Sequence, residues 1–135
     1  MHGIGNDFMI IDGRESLPKL SKGLIKMLAN RNLGVGFDQL AVIYKTETPD
    51  TAGHLKFWNS DGSVSATCGN ASRCIAKILI EEKNVTELNL ETDSGILKCE
   101  INEAGFISVN MGIPKFLWSE IPLAIECETL HLPLE

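Results

Sequence analysis

Apolar and polar residues alternate along this chain with two distinct periods, and the changes between them mark the elements. Asp7 to Asp12 (DFMIID) has the length and apolar content of a buried strand and stops at Gly13, which leaves Asn6 at the strand's mouth. Ser21 is a good N-cap, and Leu24, Ile25 and Leu28 share one face of a short helix predicted through about Asn30, which the Asn32-Leu33-Gly34 segment ends. Leu40 to Tyr44 and His54 to Trp58 read as strands. Thr46 to Gly53, with Pro49 and Asp50, reads as a polar loop, and Asn59 to Ser63 as a turn.

From Ala71 to Glu82 the apolar residues Ala71, Cys74, Ile75, Ala76, Ile78, Leu79 and Ile80 point in nearly every direction around a helix. Such a helix must be enclosed. Arg73 and Lys77 interrupt it and are expected to pair with carboxylates or to reach solvent. Behind it, Leu88/Leu90, Leu97/Cys99/Ile101 and Ile107/Val109/Met111 repeat with period two, predicting strands over Glu87–Thr92, Ile96–Ile101 and Phe106–Met111. Asp93-Ser94-Gly95 and Asn102 to Gly105 have the composition of hairpin turns. One enclosed helix among several antiparallel strands points to an α+β fold, a mixed or antiparallel curved, barrel-like sheet wrapped around a central buried helix. No repeat, low-complexity stretch or linker divides the 135 residues, so they are read as one domain. The final stretch, with Pro122 and Pro133, has no closing cap and reads as a cut between domains.

Composition narrows the function. With 44% apolar and 22% charged residues the chain has the make-up of a globular protein with a core of its own. No apolar run approaches the roughly 20 residues of a membrane span, and no secretory leader opens the sequence. A cytoplasmic location is expected. Eighteen acidic against 12 basic residues, a net charge of −6 and no basic run argue against a nucleic-acid partner. The four cysteines, at 68, 74, 99 and 127, have neither C-x-x-C nor zinc-type spacing, so no metal site is expected. Cys74, Cys99 and Cys127 lie in core-like segments and read as packing residues.

Cys68 differs. It stands at the start of the enclosed helix, where unpaired backbone N–H groups and the positive end of the helix dipole favour a thiolate. It is a candidate acid or base. Gly69 lets a ligand approach the backbone closely, and the Asn70 amide both donates and accepts hydrogen bonds. Asn6, Gln39 and Asn59 stand at strand ends or turns. Singly each reads as a cap or turn former; together they are neutral groups suited to a zwitterionic ammonium and carboxylate. The Gly3-x-Gly5 and Gly34-x-Gly36 pairs lack a full phosphate-loop pattern. His2, His54 and His131 form no evident Cys–His pair, and Asp61 reads as an Asx-turn residue.

The motifs His2-Gly3-Ile4-Gly5-Asn6-Asp7-Phe8, Gly34-Val35-Gly36-Phe37-Asp38-Gln39, Asn59-Ser60-Asp61-Gly62-Ser63, Cys68-Gly69-Asn70 and Asn110-Met111-Gly112-x-Pro114 closely resemble diaminopimelate epimerase in order and spacing. The resemblance implies two similar halves, each a sheet around a central helix, with the active site between them. It implies a thiolate base and a thiol acid, one from each half, acting on opposite faces of the substrate α-carbon without pyridoxal phosphate or metal. Cys68 matches the cysteine of the N-terminal half, and Asn6, Gln39, Asn59, Gly69 and Asn70 match its substrate-contacting positions. Ala71-Ser72 and Ser60 depart from the commoner Gly-Ala and Ala of the family, small-for-small changes that keep the backbone geometry. The second cysteine and the family's Glu-Arg pair have no counterpart in these 135 residues. The resemblance therefore implies that residues 1–135 are the N-terminal domain, inactive alone. Its partners would be diaminopimelate and the missing C-terminal half, within a protein that is a homodimer at full length. A related cofactor-independent amino-acid racemase, and a non-catalytic amino-acid-binding or assembly half-domain, are the alternatives.

Overall fold

Between Leu40 and Ile43 the chain is apolar without alternation, and in a strand that pattern requires cover on both faces. A computed structural model, which describes residues 1–16, 19–121 and 123–132, supplies that cover with two helices. Strands β1 (His2–Gly3) and β2 (Asn6–Asp12) precede helix α1 (Lys22–Ala29). Strands β3 (Gln39–Tyr44), β4 (Thr51–Asn59) and β5 (Val64–Ser65) precede helix α2 (Gly69–Lys83), and β6 (Glu87–Thr92), β7 (Gly95–Ile101) and β8 (Ile107–Val109) follow it. Leu40 and Val42 of β3 face Ile25 and Ala29 of α1, while Ala41 and Ile43 face Ile75 and Leu79 of α2. All four β3 residues are buried.

The strands form one sheet in the order β1-β2-β3-β4-β6-β7-β8, with β5 also paired to β4. Of the mixed or antiparallel arrangements expected it is the mixed one: β2 runs parallel to β3 and β4 parallel to β6, each pair joined by a helical crossover. The sheet curls around α2 far enough that both of its ends, β1–β2 and β8, touch the helix. Phe8, Leu55, Phe57, Leu90, Leu97 and Cys99 line the concave side, with Leu88, Ile107 and Val109 packed against them. Of the period-two positions after α2, Leu88, Leu90, Leu97, Cys99, Ile107 and Val109 thus face it as expected, whereas Ile101 is not part of this core and Met111 lies beyond β8. The curl does not close. A cavity of about 570 Å³ remains between Met1–Ile4 and Gly105–Ile107, floored by Arg73 and Lys77.

Several expectations need correction. The polar loop is shorter than Thr46–Gly53, because β4 begins at Thr51 and Gly53 is buried against Ile43. Lys77 of helix α2, by contrast, behaves as expected, standing in solvent and meeting Glu81 at 3.9 Å. Arg73 finds an amide, Asn70 Oδ1, rather than a carboxylate. Strand β8 is three residues long, ending before Asn110. Helix α1 starts where expected, with Ser21 Oγ accepting from Leu24 N at 3.2 Å. It stops at Ala29, because the Asn30 side chain accepts from the N–H groups of Asn32 and Leu33. Gly34 then folds back so closely that a Cβ there would lie 2.3 Å from the Met27 carbonyl oxygen. Pro122 and Pro133 lie outside the described residues.

Arg14 locks the far end of β2 to the C-terminal turn of α2. Its guanidinium donates to Asp12 at 2.6 and 2.9 Å and to Glu82 at 2.8 Å through two nitrogens. The hydrogen bonds from Arg14 hold both carboxyls below the usual carboxylate range. A depressed folded-state value adds stability above the unfolded value, about 3.9–4.3, and that stability is lost as pH falls through the folded value. The urea midpoint should therefore hold between pH 7 and 5 and drop below about pH 4, with a smaller drop in Arg14→Gln. Ile75 is 1% exposed or less at the centre of the core. Ile75→Ala should cost about 2–5 kcal/mol in equilibrium denaturation, against about 0.5 kcal/mol or less for the exposed Lys77→Ala.

Candidate active site

The parallel course of β2 and β3 and the antiparallel course of β4 bring the starts of the first two and the end of the third to one end of the sheet. Asn6, Gln39 and Asn59 occupy those positions. Gln39 pairs with Asn59 across the ladder, and Gln39 Nε2 donates to Asn59 Oδ1 at 2.8 Å. Asn59 Nδ2 donates in turn to Ser63 Oγ at 2.9 Å, and the Ser63 hydroxyl donates to Asp61 Oδ1 at 2.6 Å. Asp61 also accepts from Ser63 N at 2.8 Å, the Asx turn expected of it. The turn is pressed against the first residue of α1. Gly62 has φ +76°, and a Cβ there would come within 2.6 Å of Lys22 Cγ and 2.9 Å of the Lys22 carbonyl oxygen. Hydrogen bonds from the Ser63 side chain and backbone, with help from Lys22 and Lys26, hold the Asp61 carboxyl below its ordinary value.

Asn6 is fixed by a second charged group. Its Nδ2 donates to Asp38 Oδ2 at 3.1 Å, and Asp38 shares the Arg31 guanidinium with Asp7 at 2.8–2.9 Å. The hydrogen bonds from Arg31 hold Asp7 far below the normal carboxylate range. This ion cluster ties α1's exit to β2 and β3, just behind the strand ends.

Helix α2 begins at the same end. Ser65 of β5 pairs with Phe57, close to the end of β4, and only Ala66 and Thr67 separate it from Cys68. Gly3, paired with Asn6, sits so close to the helix that a Cβ on it would be 3.1 Å from Asn70 Cβ. Cys68 is the N-cap itself, its Sγ accepting from Ala71 N at 3.5 Å. A sulfur in this role is a weak substitute for the usual oxygen, and it leaves the thiol half-exposed and aimed along the first turn. Among the described residues the N–H groups of Gly69 and Asn70 have no partner within the protein. They can receive an anion. Met111 approaches from beyond β8, its Sδ 3.5 Å from the Cβ position of Gly69.

The family model described as Diaminopimelate epimerase matches residues 1–117. The chain belongs to the diaminopimelate epimerase family. It is 40% identical to the diaminopimelate epimerase of Gluconobacter oxydans, an alignment covering 99% of this chain and 50% of that protein. It is 42% identical to that of Acinetobacter baumannii, covering 97% and 48%, and 42% identical to that of Pelagibacter ubique, covering 100% and 48%. The chain thus spans about half the length of these curated relatives. The fold is that of a probable proline racemase from Agrobacterium radiobacter (TM-score 0.61, 16% identity, 80% of this chain and 39% of that one). A hydroxyproline epimerase from Agrobacterium vitis shares it as well (TM-score 0.59, 15% identity, 80% and 39%).

Among the residues singled out from sequence, Gln39 and Asn59 touch, Cys68, Gly69 and Asn70 form the helix start, and Asn6 is bound to Asp38 beside Gln39. Asp38, Ser63 and Met111 are neighbours of the site that the sequence did not single out, and Arg73, expected to pair with a carboxylate or to reach solvent, instead meets the Asn70 amide. Asp38, adjacent to Gln39, and Ser63, two residues after an Asx-turn aspartate, were the available signals.

Among the described residues no group of three or more His, Cys, Asp or Glu side chains could hold a metal ion, and no helix is long and apolar enough to cross a membrane. Two of the other thiols are set apart by burial, which pushes Cys74 up and Cys99 up to about 11; Cys127, read from sequence as a packing residue, is only half-buried and lies outside the core. In the folded chain at neutral pH, iodoacetamide should label Cys68 well ahead of Cys74 and Cys99, with the latter two reacting only on unfolding. Peptide mass spectrometry reads the order.

Proposed function

We propose that residues 1–135 are the N-terminal domain of an epimerase that interconverts LL- and meso-2,6-diaminoheptanedioate, a step in lysine and peptidoglycan-precursor synthesis in the cytoplasm. The observation that carries the reading is a half-exposed thiol serving as N-cap of the buried helix, at the sheet end where Asn6, Gln39 and Asn59 gather. The family assignment is consistent with it.

Inverting a stereocentre requires removing the α-proton from one face and returning a proton to the other. In one direction a thiolate of the second half takes the proton and the Cys68 thiol gives one; in the reverse direction the roles exchange. Thiol and thiolate trade a proton in each turnover, so the chemistry balances with no cofactor. The charge that develops as the α-proton leaves spreads onto the substrate carboxylate, and the free N–H groups of Gly69 and Asn70 are suited to receive it there. Cys68 serves a single face, so the second half is needed. Ile113, Phe116, Leu117 and Ile125, all more than 60% exposed in the stretch after β8, are apolar surface that such a partner would cover. The full-length protein in this reading is a homodimer.

The test is α-deuterium incorporation into diaminopimelate in heavy water, followed by mass spectrometry. The chain alone should give none. Mixed with the separately made C-terminal half of a relative it should give exchange, lost in Cys68→Ser. Turnover by the chain alone, or no exchange in a mixture that demonstrably assembles, would overturn the reading.

A further inference from the structure

Every amide at this site is ambiguous by itself, since Asn and Gln present a donor and an acceptor of nearly the same shape. Their surroundings remove the ambiguity. Ionised Asp61 can only accept, so the single proton of the Ser63 hydroxyl is committed to it at 2.6 Å. Ser63 Oγ must then accept from Asn59, which turns the Nδ2 end of Asn59 toward Ser63, at 2.9 Å, and its Oδ1 toward Gln39. Gln39 must answer with Nε2, at 2.8 Å, and its Oε1 is left with no partner among the described residues. The direction set at Asp61 is thus carried through three side chains to an oxygen at the strand end. Asp38, which also only accepts, turns Asn6 the same way and leaves its Oδ1 outward. At the helix start the sign reverses: Arg73 has donors alone, so it takes Asn70 Oδ1 and leaves the Asn70 Nδ2 hydrogens free beside the N–H groups of Gly69 and Asn70.

Resting on the amino-acid reading of the site above, we propose that Asp61, acting through Ser63, is a positioning residue that orients Asn59 and Gln39 so that Gln39 Oε1 is a committed acceptor for the substrate ammonium. The site is then divided into an acceptor wall at the sheet end, made of Gln39 and Asn6, and a donor wall at the helix start, where the carboxylate lies. A zwitterion fits it in one orientation only. A desamino acid would leave the acceptor wall unmatched, which a site with fixed polarity tolerates poorly.

The relay is read without a ligand from the side-chain amide resonances of Asn59 and Gln39 in ¹⁵N-labelled chain. Ser63→Ala keeps the backbone bond to Asp61 but removes the hydroxyl, and should move both sets of resonances toward free-amide positions; Asp61→Ala, which frees the Ser63 proton, should move them as well. Ser63→Thr keeps the hydroxyl and should restore them. Titration with diaminopimelate and with heptanedioate, the same dicarboxylate without amines, then reads the polarity. The wild-type chain and Ser63→Thr should prefer diaminopimelate by at least about tenfold, the worth of one hydrogen bond to a charged group, and Ser63→Ala should lose most of that preference. Unmoved Asn59 and Gln39 resonances in folded Ser63→Ala, or an undiminished preference in it, overturn the proposal. A wild-type chain that binds neither compound even when assembled with the C-terminal half of a relative, while the resonances move as described, overturns the amino-acid reading and the ammonium assignment with it, and leaves the relay established.

Discussion

Helix α2 carries apolar side chains over most of its circumference, and no flat layer can cover such a surface. The sheet has to bend until strands from its two ends reach the same helix, and most other features follow from that requirement. Bending exposes a convex back, which over β2, β3 and β4 is itself apolar at Met9, Ile11, Leu40, Val42 and Trp58 and needs α1 as a second cover. The bend also fixes the helix axis against the strand ends, so the first turn of α2 emerges beside the mouths of β2 and β3. A reactive group at the helix start and hydrogen-bonding groups at the strand ends are therefore neighbours by construction.

The charged groups described above have different tasks within this frame. Arg14 with Asp12 and Glu82 is a clasp at the end remote from Cys68, where it joins the last residue of a strand to the last turn of a helix. Arg31 with Asp7 and Asp38, and Asp61 with Ser63, stand immediately behind the neutral amides of the candidate site. Surface ion pairs as exposed as these contribute little to stability, so their value lies more in direction than in strength. A carboxylate beside an amide decides which end of it faces outward.

Much of this was legible in the chain, for identifiable reasons. Period two in β6 and β7 and the Ser21-capped start of α1 are local properties, and local properties survive into the fold. The unbroken apolar run at Leu40–Ile43 reads from sequence only as a strand, and nothing local says that α1 provides the cover on its second face. Parallel pairing of β2 with β3 and of β4 with β6 is a long-range choice, invisible in any window of residues. At the site, the residues that match the family motifs were visible as motifs, and the structure sets them at one end of the sheet. The orientation of each amide was not visible, because it depends on Asp38, Asp61 and Arg73, whose own sequence contexts read as turn or helix chemistry. Thr51–Gly53 was misread because Asp50 and Gly53 are turn-forming residues in isolation, whereas Gly53 is in fact the flat spot that lets β4 pass against Ile43.

Helix α2 is the crossover between the parallel strands β4 and β6, and this has a consequence for the order of assembly. The cysteine and its amides are encoded within the first 70 residues, but the walls that hold α2 in place include β6, β7 and β8, which come later in the chain. Parallel pairing across a crossover must close a long loop before any contact rewards it. During synthesis the thiol therefore leaves the ribosome before the walls that will cradle its helix exist, and its first unguarded moments belong to the nascent chain rather than to the folded protein.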